Sequence, residues 1–264
     1  MRLLSVLVLG SVAALSVSPT EISNEAKAEF LRTAVTAKAE QVGKGVTGTW
    51  RVSLEGSDTT HDASFQYVDE RAAVKELPDG TAELHFVDSY RYNIAAYRLA
   101  NLLGLGHMVP VSVEREWRGR RGAMTWWVDN VMMDEAGVNE RGLQAPDQAD
   151  WIRQTYRVRV FNELIYDTDR NQGNNLVTED WKIWMIDFSR AFRRWKKLRK
   201  PENLMRCDRN LFQALSELER DQLEATLSDI LDDTELDGVW ARRGLIVEYF
   251  RTAIGERGEN EVLY

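Results

Sequence analysis

Residues 165–189, IYDTDRNQGNNLVTEDWKIWMIDFS, constrain this chain more than any other stretch. An apolar pair, Leu176 and Val177, and an apolar run at 183–186 flank Thr178, Glu179, Asp180, Trp181 and Lys182. That is the pattern of two short strands joined by a loop of about five residues. Pairing Val177 with Ile183 sets position 174 opposite position 186. The hairpin is therefore expected to deliver Asn174 and Asp187 side by side at its open end, with Asp169 on the loop that leads into it. Three oxygen-bearing side chains are expected to converge there.

An acid, an Asn five residues later, a strand, a turn, a strand and a second acid follow the order used by kinase-type phosphotransferases. In that order Asp169 would orient an attacking hydroxyl. Asn174 and Asp187 would hold Mg²⁺, a hard cation that takes oxygen ligands and bridges nucleotide phosphates. Asp, Asn and Gly also crowd at hairpin ends because they make good turns, and for any single residue that plainer reading is the stronger one. The coincidence of spacing, hairpin and second Asp favours the chemical reading of the set.

The length fits one large domain or two lobes, and 44% hydrophobic residues with net charge -8 describe an ordinary globular chain. The negative charge argues against nonspecific nucleic-acid binding, and the basic run at 190–200 reads as a solvated face or a phosphate-facing strip. The single Cys207 cannot form an intrachain disulfide, and no paired Cys or His spacing suggests zinc. Any metal is expected to sit on oxygen ligands. Residues 1–18 carry one Arg and then a run rich in Leu, Val, Ala and Ser, too short to span a bilayer but suited to a signal-peptide core. That reading predicts export, periplasmic or secreted; the alternative, a buried first helix, predicts cytoplasmic residence. No other stretch reads as a transmembrane segment.

Composition predicts a helix over 24–39, within an N-terminal segment 19–39. Gly43, Lys44, Gly45 and Gly48 then form a G-x-G-x-x-G turn before alternating residues 50–54. Such a turn is either a plain hairpin or a place where backbone N–H groups approach phosphate. Strands are predicted at 63–68 and 82–87 with a charged turn between them, and at 110–114 and 123–128 around a turn at 118–122. Between these pairs, Tyr92, Ala95, Ala96, Leu99, Leu102 and Leu103 recur at helical spacing, with Asp88 or Ser89 as cap and Gly104 as stop. A polar loop over 134–147 leads to a helix capped by Asp147. Beyond Pro201 the chain reads as helical, the last helix running from an Asp233 or Thr234 cap to Gly255. Strands with one helix, then mostly helices, predict an α+β chain of two lobes, 40–130 and 131–264.

The motifs DRNQGN, ending at Asn174, and WMID, ending at Asp187, resemble the atypical protein-kinase-like superfamily. That superfamily contains HipA toxin kinases, type II phosphatidylinositol 4-kinases and the secretory-pathway Golgi casein kinases. Residues 92–110, YNIAAYRLANLLGLGHMVP, resemble the helix C region of the casein-kinase branch. The chain as a whole is also similar to uncharacterised bacterial proteins that carry this domain. The resemblance covers residues 40–255 and implies a two-lobed protein-kinase-like fold, with a small antiparallel-sheet N-lobe and a mainly helical C-lobe.

It further implies ATP with Mg²⁺ or Mn²⁺ as cofactors and γ-phosphate transfer to a hydroxyl acceptor, whether protein, lipid or small molecule. Asp169 would be the base, with Arg170 beside it, and Gly43 to Gly48 would cover the phosphates. The backbone near Trp127 and Val128 would meet adenine. Two departures stand out. Gln66 occupies the strand position where the family has a phosphate-contacting Lys, and Asn93 occupies the place of its Glu partner. Lys44 or Arg170 are the candidate replacements for the missing cation. The alternative that the departures raise is a pseudokinase, a nucleotide-binding or scaffold module with little turnover.

Overall fold

The computed structural model describes residues 22–42, 48–57, 59–77 and 80–264; the signal-like residues 1–18 therefore lie outside the described residues. The chain opens with α1, Asn24–Thr33, whose Ser23 cap accepts the N–H of Ala26 at 3.2 Å. The helix stops earlier than composition predicts. Ala34 takes an extended backbone, and β1, Val35–Gln41, pairs antiparallel with β2, Trp50–Glu55. Pairing to a neighbouring strand overrides a helix-favouring composition here, helped by the β-branched pair Val35 and Thr36.

Strand β3, Thr60–Gln66, follows, and the predicted charged turn is instead β4, Asp69–Glu76, paired with β5, Ala82–Ser89, in a separate two-stranded ribbon. Helix α2, Arg91–Leu102, leads to β6, Ser112–Trp117, and β7, Arg120–Trp126. Arg118 and Gly119, with φ of 52° and 70°, form the connection between them. A two-residue loop with both residues at positive φ matches the strand twist, so the turn is tighter than the five residues predicted. The five-stranded sheet runs β1-β2-β3-β7-β6. Helix α1 lays Ala28 and Leu31 on it, against Val52, Leu54, Phe65 and Met124.

Gly122 on β7 faces the end of β3: a methyl group there would overlap the Gln66 carbonyl and meet the Phe65 ring at 2.6 Å. Gly122→Ala is expected to destabilise the chain by about 1–3 kcal/mol, the usual cost of overpacking, and to displace Gln66. Urea unfolding checks this; unchanged stability would show that β3 yields freely.

After the sheet the chain turns into β8, Val131–Asp134, and short helix α3, Glu135–Glu140, where a loop was predicted; Asp134 caps α3 through Gly137 N–H at 2.7 Å. Asp147 caps α4, Gln148–Ile165, as expected. The hairpin strands β9, Asn175–Thr178, and β10, Ile183–Met185, pair with Ile183 opposite Val177, and the Ile186 N–H donates to Asn174 O at 2.9 Å. Strand β8 joins them in a three-stranded sheet.

Helices α5, Arg209–Glu217, α6, Arg220–Leu227, α7, Asp233–Arg257, and α8, Glu259–Val262, complete the chain. Asp232, reciprocated by Glu235 in a capping box, caps α7 in place of the predicted residues, and Gly258 at φ 87° ends it in place of Gly255. The larger core joins α2 residues Tyr92, Ala95, Ala96 and Leu99 to Phe161 and Ile165 of α4 and to Ile246 and Phe250 of α7. Helix α2 is thus held by the helical lobe although it precedes β6 in the chain. Among the described residues no helix is long and apolar enough to cross a membrane.

Candidate active site

A cavity of about 310 Å³ lies between the large sheet and the hairpin. Gln66 from β3, Asn93 from α2, Trp127 and Val128 from the connection after β7, Leu176 from β9 and Asp187 all line it. Gln66 and Asn93 face each other: Asn93 Nδ2 donates to Gln66 Oε1 at 2.9 Å. The other end of the same amide, Asn93 Oδ1, accepts the Phe188 N–H at 2.9 Å. Asn93 is 5% exposed, so its two amide ends are matched to an acceptor and a donor where water cannot serve. One neutral side chain therefore ties β3, α2 and the residue after Asp187 together. Gln66 Nε2 reaches Thr49 Oγ1 at 3.4 Å, a weak contact at the foot of the Gly-rich turn.

Asp187 sits two residues past the end of β10 with φ of 54°, a left-handed backbone that is costly for a residue with a β-carbon. Its Oδ1 is buried and has no hydrogen-bond partner among the described residues. An unpartnered buried carboxylate oxygen is unfavourable unless a cation or donor arrives. Asn174 stands opposite on the short helical turn Gln172–Asn174, with Nδ2 donating to Asp169 O at 3.1 Å. That bond orients the amide and leaves its oxygen as the end able to ligate a cation. Among the described residues no group of three or more His, Cys, Asp or Glu side chains forms a metal cage. A cation here would rest on Asp187 and Asn174, with nucleotide phosphates and water completing its shell.

The loop before the hairpin is held differently from expectation. Arg170 was a candidate for the missing phosphate cation, but its guanidinium is turned inward. Nε donates to Asp167 Oδ2 at 3.0 Å, and Nη1 donates to the carbonyls of Asn174 and Ile186, each at 2.8 Å. The plane lies 4.6 Å from the Phe188 ring centre, and the side chain is 8% exposed. Arg170 is thus the clamp that fastens the loop to both strands of the hairpin. Asp167, 2% exposed, also accepts the Asp169 N–H at 3.0 Å. Burial raises its carboxyl pKa, with Arg170 and the Asp169 N–H pulling the other way and Asp187 adding to the rise. The outcome leaves Asp169 exposed, its backbone N–H and carbonyl engaged and its carboxylate turned to solvent.

Sequence reasoning overlooked Asp167 and Asp88. The spacing Asp-x-x-Arg at 167–170 was the available signal for the first; the second was read as a helix cap. In the structure α2 begins after Tyr90 without a side-chain cap, and Ser89 Oγ accepts the Arg91 N–H at 3.3 Å. Asp88 lies instead beside Ser189, where the Ser89 N–H donates to Ser189 O at 2.9 Å. Burial first, then the charge of Asp187, raises its carboxyl pKa against a hydrogen bond from Ser189.

Trp127 and Val128 form part of the cavity wall, with the Trp127 ring 4.5 Å from the Arg51 guanidinium. The Trp127 N–H is already donated to Asp62 O at 3.1 Å, so it is not a free donor for a ligand. Gly43, Lys44 and Gly45 lie outside the described residues. The base of their turn is closed by the Val42 N–H on Thr49 O at 2.9 Å, and Gly48 has φ of 58° with the Tyr67 hydroxyl 3.1 Å from where a β-carbon would stand.

Solved structures with a similar fold include hydra Fam20 in complex with sugar, at 18% identity and TM-score 0.66, covering 96% of this chain and 95% of that one. The chain has a kinase-like fold. The Golgi casein kinase with Mn/ADP bound matches this kinase-like fold at 13% identity and TM-score 0.64, over 91% of this chain and 78% of that one. The Helicobacter pylori proinflammatory kinase CtkA does so at 9% identity and TM-score 0.58, over 86% and 98%. No protein-family model and no curated protein sequence matches the chain. At these identities the likeness is one of kinase-like fold.

Proposed function

We propose that this chain binds ATP with Mg²⁺ or Mn²⁺ in the cavity between a sheet lobe, 40–130, and a helical lobe, 131–264, and transfers the γ-phosphate to a hydroxyl. The observation that carries the reading is Asp187, held in a strained backbone with a buried, unpartnered carboxylate oxygen at the cavity wall. The Golgi casein kinase, similar over most of this chain, is solved with Mn/ADP bound, which supports a nucleotide and a divalent cation here. The finer affinities, to HipA kinases, to type II phosphatidylinositol 4-kinases and to bacterial members, rest on the motifs at 169–174 and 184–187. The signal-like residues 1–18 support an exported protein.

In this mechanism Asp169, exposed at the end of its loop, accepts the acceptor's hydroxyl proton as that oxygen forms a bond to the γ-phosphorus and the bond to the ADP oxygen breaks. Asp187 and the Asn174 amide oxygen would hold the cation, and Mg²⁺ or Mn²⁺ there would supply neutralisation of the phosphate charge. Arg170 and Asn93 fix the distances between these groups, so catalysis is positioning in a partly dry cleft. Saturable Mn²⁺-dependent ATP binding, followed by phosphate transfer to a hydroxyl acceptor, tests the reading; the absence of metal-dependent binding rejects it.

One observation favours a second reading, a nucleotide-binding pseudokinase: the Gln66–Asn93 contact is neutral, where the superfamily resemblance implies a Lys–Glu ion pair. Charge-assisted hydrogen bonds are roughly twice as strong as neutral ones, so binding should outlast turnover. Gln66→Lys or Asn93→Glu alone buries an unpaired charge and is expected to destabilise by about 3 kcal/mol. The double substitution restores the pair, should recover much of that loss, and should raise phosphotransfer. A double-mutant cycle read by urea unfolding and by turnover separates the readings. Strict additivity would show that the two positions do not act as a pair, and wild-type turnover that falls on restoration would show that the protein uses another cation.

A further inference from the structure

A second cavity, about 260 Å³, lies behind the first turn of α2, between the β4–β5 ribbon and residues 192–195. Tyr92 lines this cavity while its neighbour Asn93 lines the nucleotide cavity, so the two are separated by α2 and the Asp187 segment. Its walls are aromatic: Phe86, Tyr92, Phe192 and Trp195, with His85 edge-on to Trp195 at 5.8 Å between ring centres. Trp195 is 38% exposed, large for an indole held in a folded wall.

The wall is built rather than loose. Phe192 and His85 both have left-handed backbones, at φ 54° and 53°, and the residues pairing across the ribbon skip Ala73 and His85. Arg242, fully buried, donates to the Arg193 carbonyl at 2.8 Å and to the Trp195 carbonyl. Gly238 keeps that contact possible, since a β-carbon would stand 2.9 Å from Arg193 O.

An inventory of the polar groups decides what the cavity can take. Glu235 is engaged by Arg71 at 2.8 Å, by the Tyr92 hydroxyl and by the Asp232 N–H at 3.0 Å. Asp232 caps α7 through Thr234 and Glu235. Arg193 is paired with Glu83. Glu235 is therefore occupied, and so are two of the three guanidiniums, while Asp232 Oδ2 keeps only Arg71 at 3.8 Å. Arg194 has no carboxylate partner among the described residues; its Nη1 meets His85 Nδ1 at 3.3 Å. A guanidinium only donates, so Nδ1 accepts and His85 carries its proton on Nε2. At the Trp195 end, what remains for a ligand is a set of donors: Arg194 N–H groups, His85 Nε2–H and the Trp195 indole N–H.

We propose that this cavity binds a small organic anion, a carboxylate or phosphate attached to a flat face that stacks on Trp195, with Arg194 as its charge partner. The donors around Arg194 favour an anion, and the indole selects for a planar ring or the CH face of a sugar. Because the cavity is separate from the nucleotide cavity, binding needs neither metal nor ATP.

Calorimetric titration of the full chain, without nucleotide or metal, tests this with matched probes: phenyl phosphate against phenol, and glucuronate against glucose. Each anion is expected to bind saturably and at least about tenfold tighter than its neutral partner. Arg194→Gln, an exposed substitution, should reduce anion affinity about tenfold and leave the neutral probes unchanged. Trp195→Ala should weaken all four. Equal affinity for charged and neutral probes, no saturable binding by either anion, or wild-type affinity in Arg194→Gln would overturn the assignment. None of these outcomes depends on phosphotransfer, whose failure is read separately from Mn²⁺-dependent ATP binding.

Discussion

Asp187→Asn is expected to abolish the Mn²⁺-dependent stabilisation of the chain by ATP. At a nucleotide concentration about 100 times its dissociation constant, binding adds about 2.7 kcal/mol to stability. For a domain of this size that corresponds to a rise in Tm of roughly 5–10 °C. Asn keeps the volume and one acceptor oxygen, exchanges the other for an N–H donor, and removes the charge that attracts a divalent ion. The buried Oδ1 has no protein partner to lose, so the fold without ligand should be unchanged or slightly more stable. Asp169→Ala should behave in the opposite way, with the full thermal shift and no transfer, because its carboxylate is exposed and in the proposed mechanism acts only on the acceptor. A thermal-shift titration of wild type and both variants with ATP and Mn²⁺ decides. An equal shift in wild type and Asp187→Asn would remove Asp187 from the metal site.

Arg170→Met is expected to destabilise the chain by about 3–5 kcal/mol, the usual cost of removing one partner from a buried ion pair. Asp167, at 1% side-chain exposure, would be left without a cation, and the carbonyls of Asn174 and Ile186 would each lose a donor. Asp167→Asn combined with Arg170→Met should recover a large part of the loss, since the buried charge is then gone. Urea unfolding of the four proteins measures both terms. A phosphate-binding Arg would give the contrary result, lower nucleotide affinity with stability near wild type, because a residue awaiting a ligand contributes little to the empty fold. The clamp also predicts that loosening it separates Asp169 from Asp187. Transfer in Arg170→Met should therefore fall further than ATP affinity at temperatures where the variant is folded.

Much of this protein was fixed by short-range pattern. The hairpin register followed from where the apolar pairs stand around residues 178–182, because alternation in a strand allows one pairing that buries Val177, Ile183 and Met185 together. The helix at Arg91–Leu102 followed from its apolar spacing, and the two-lobed α+β order from strands preceding helices. That Gln66 and Asn93 would meet was read from the family resemblance, although they lie 27 positions apart and nothing local compels it.

Tertiary structure decided the rest, wherever a residue had two locally acceptable partners. Val35 to Gln41 could continue a helix, but the free edge of β2 offered a ladder of backbone hydrogen bonds that a lone helical turn could not match. Asp69 to Glu76, charged and turn-like by composition, became a strand because β5 lay opposite it. Arg170 had a phosphate role open to it in sequence; the buried carboxylate of Asp167 and the carbonyls of Asn174 and Ile186 claimed it instead. Asp88 and Asp232 exchanged expectation in the same way, one leaving a helix cap for Ser189 and the other taking a cap that Asp233 or Thr234 could have filled. A sequence states which side chains can donate, accept or carry charge. Burial decides which of those groups lose water, and those must find their partners first.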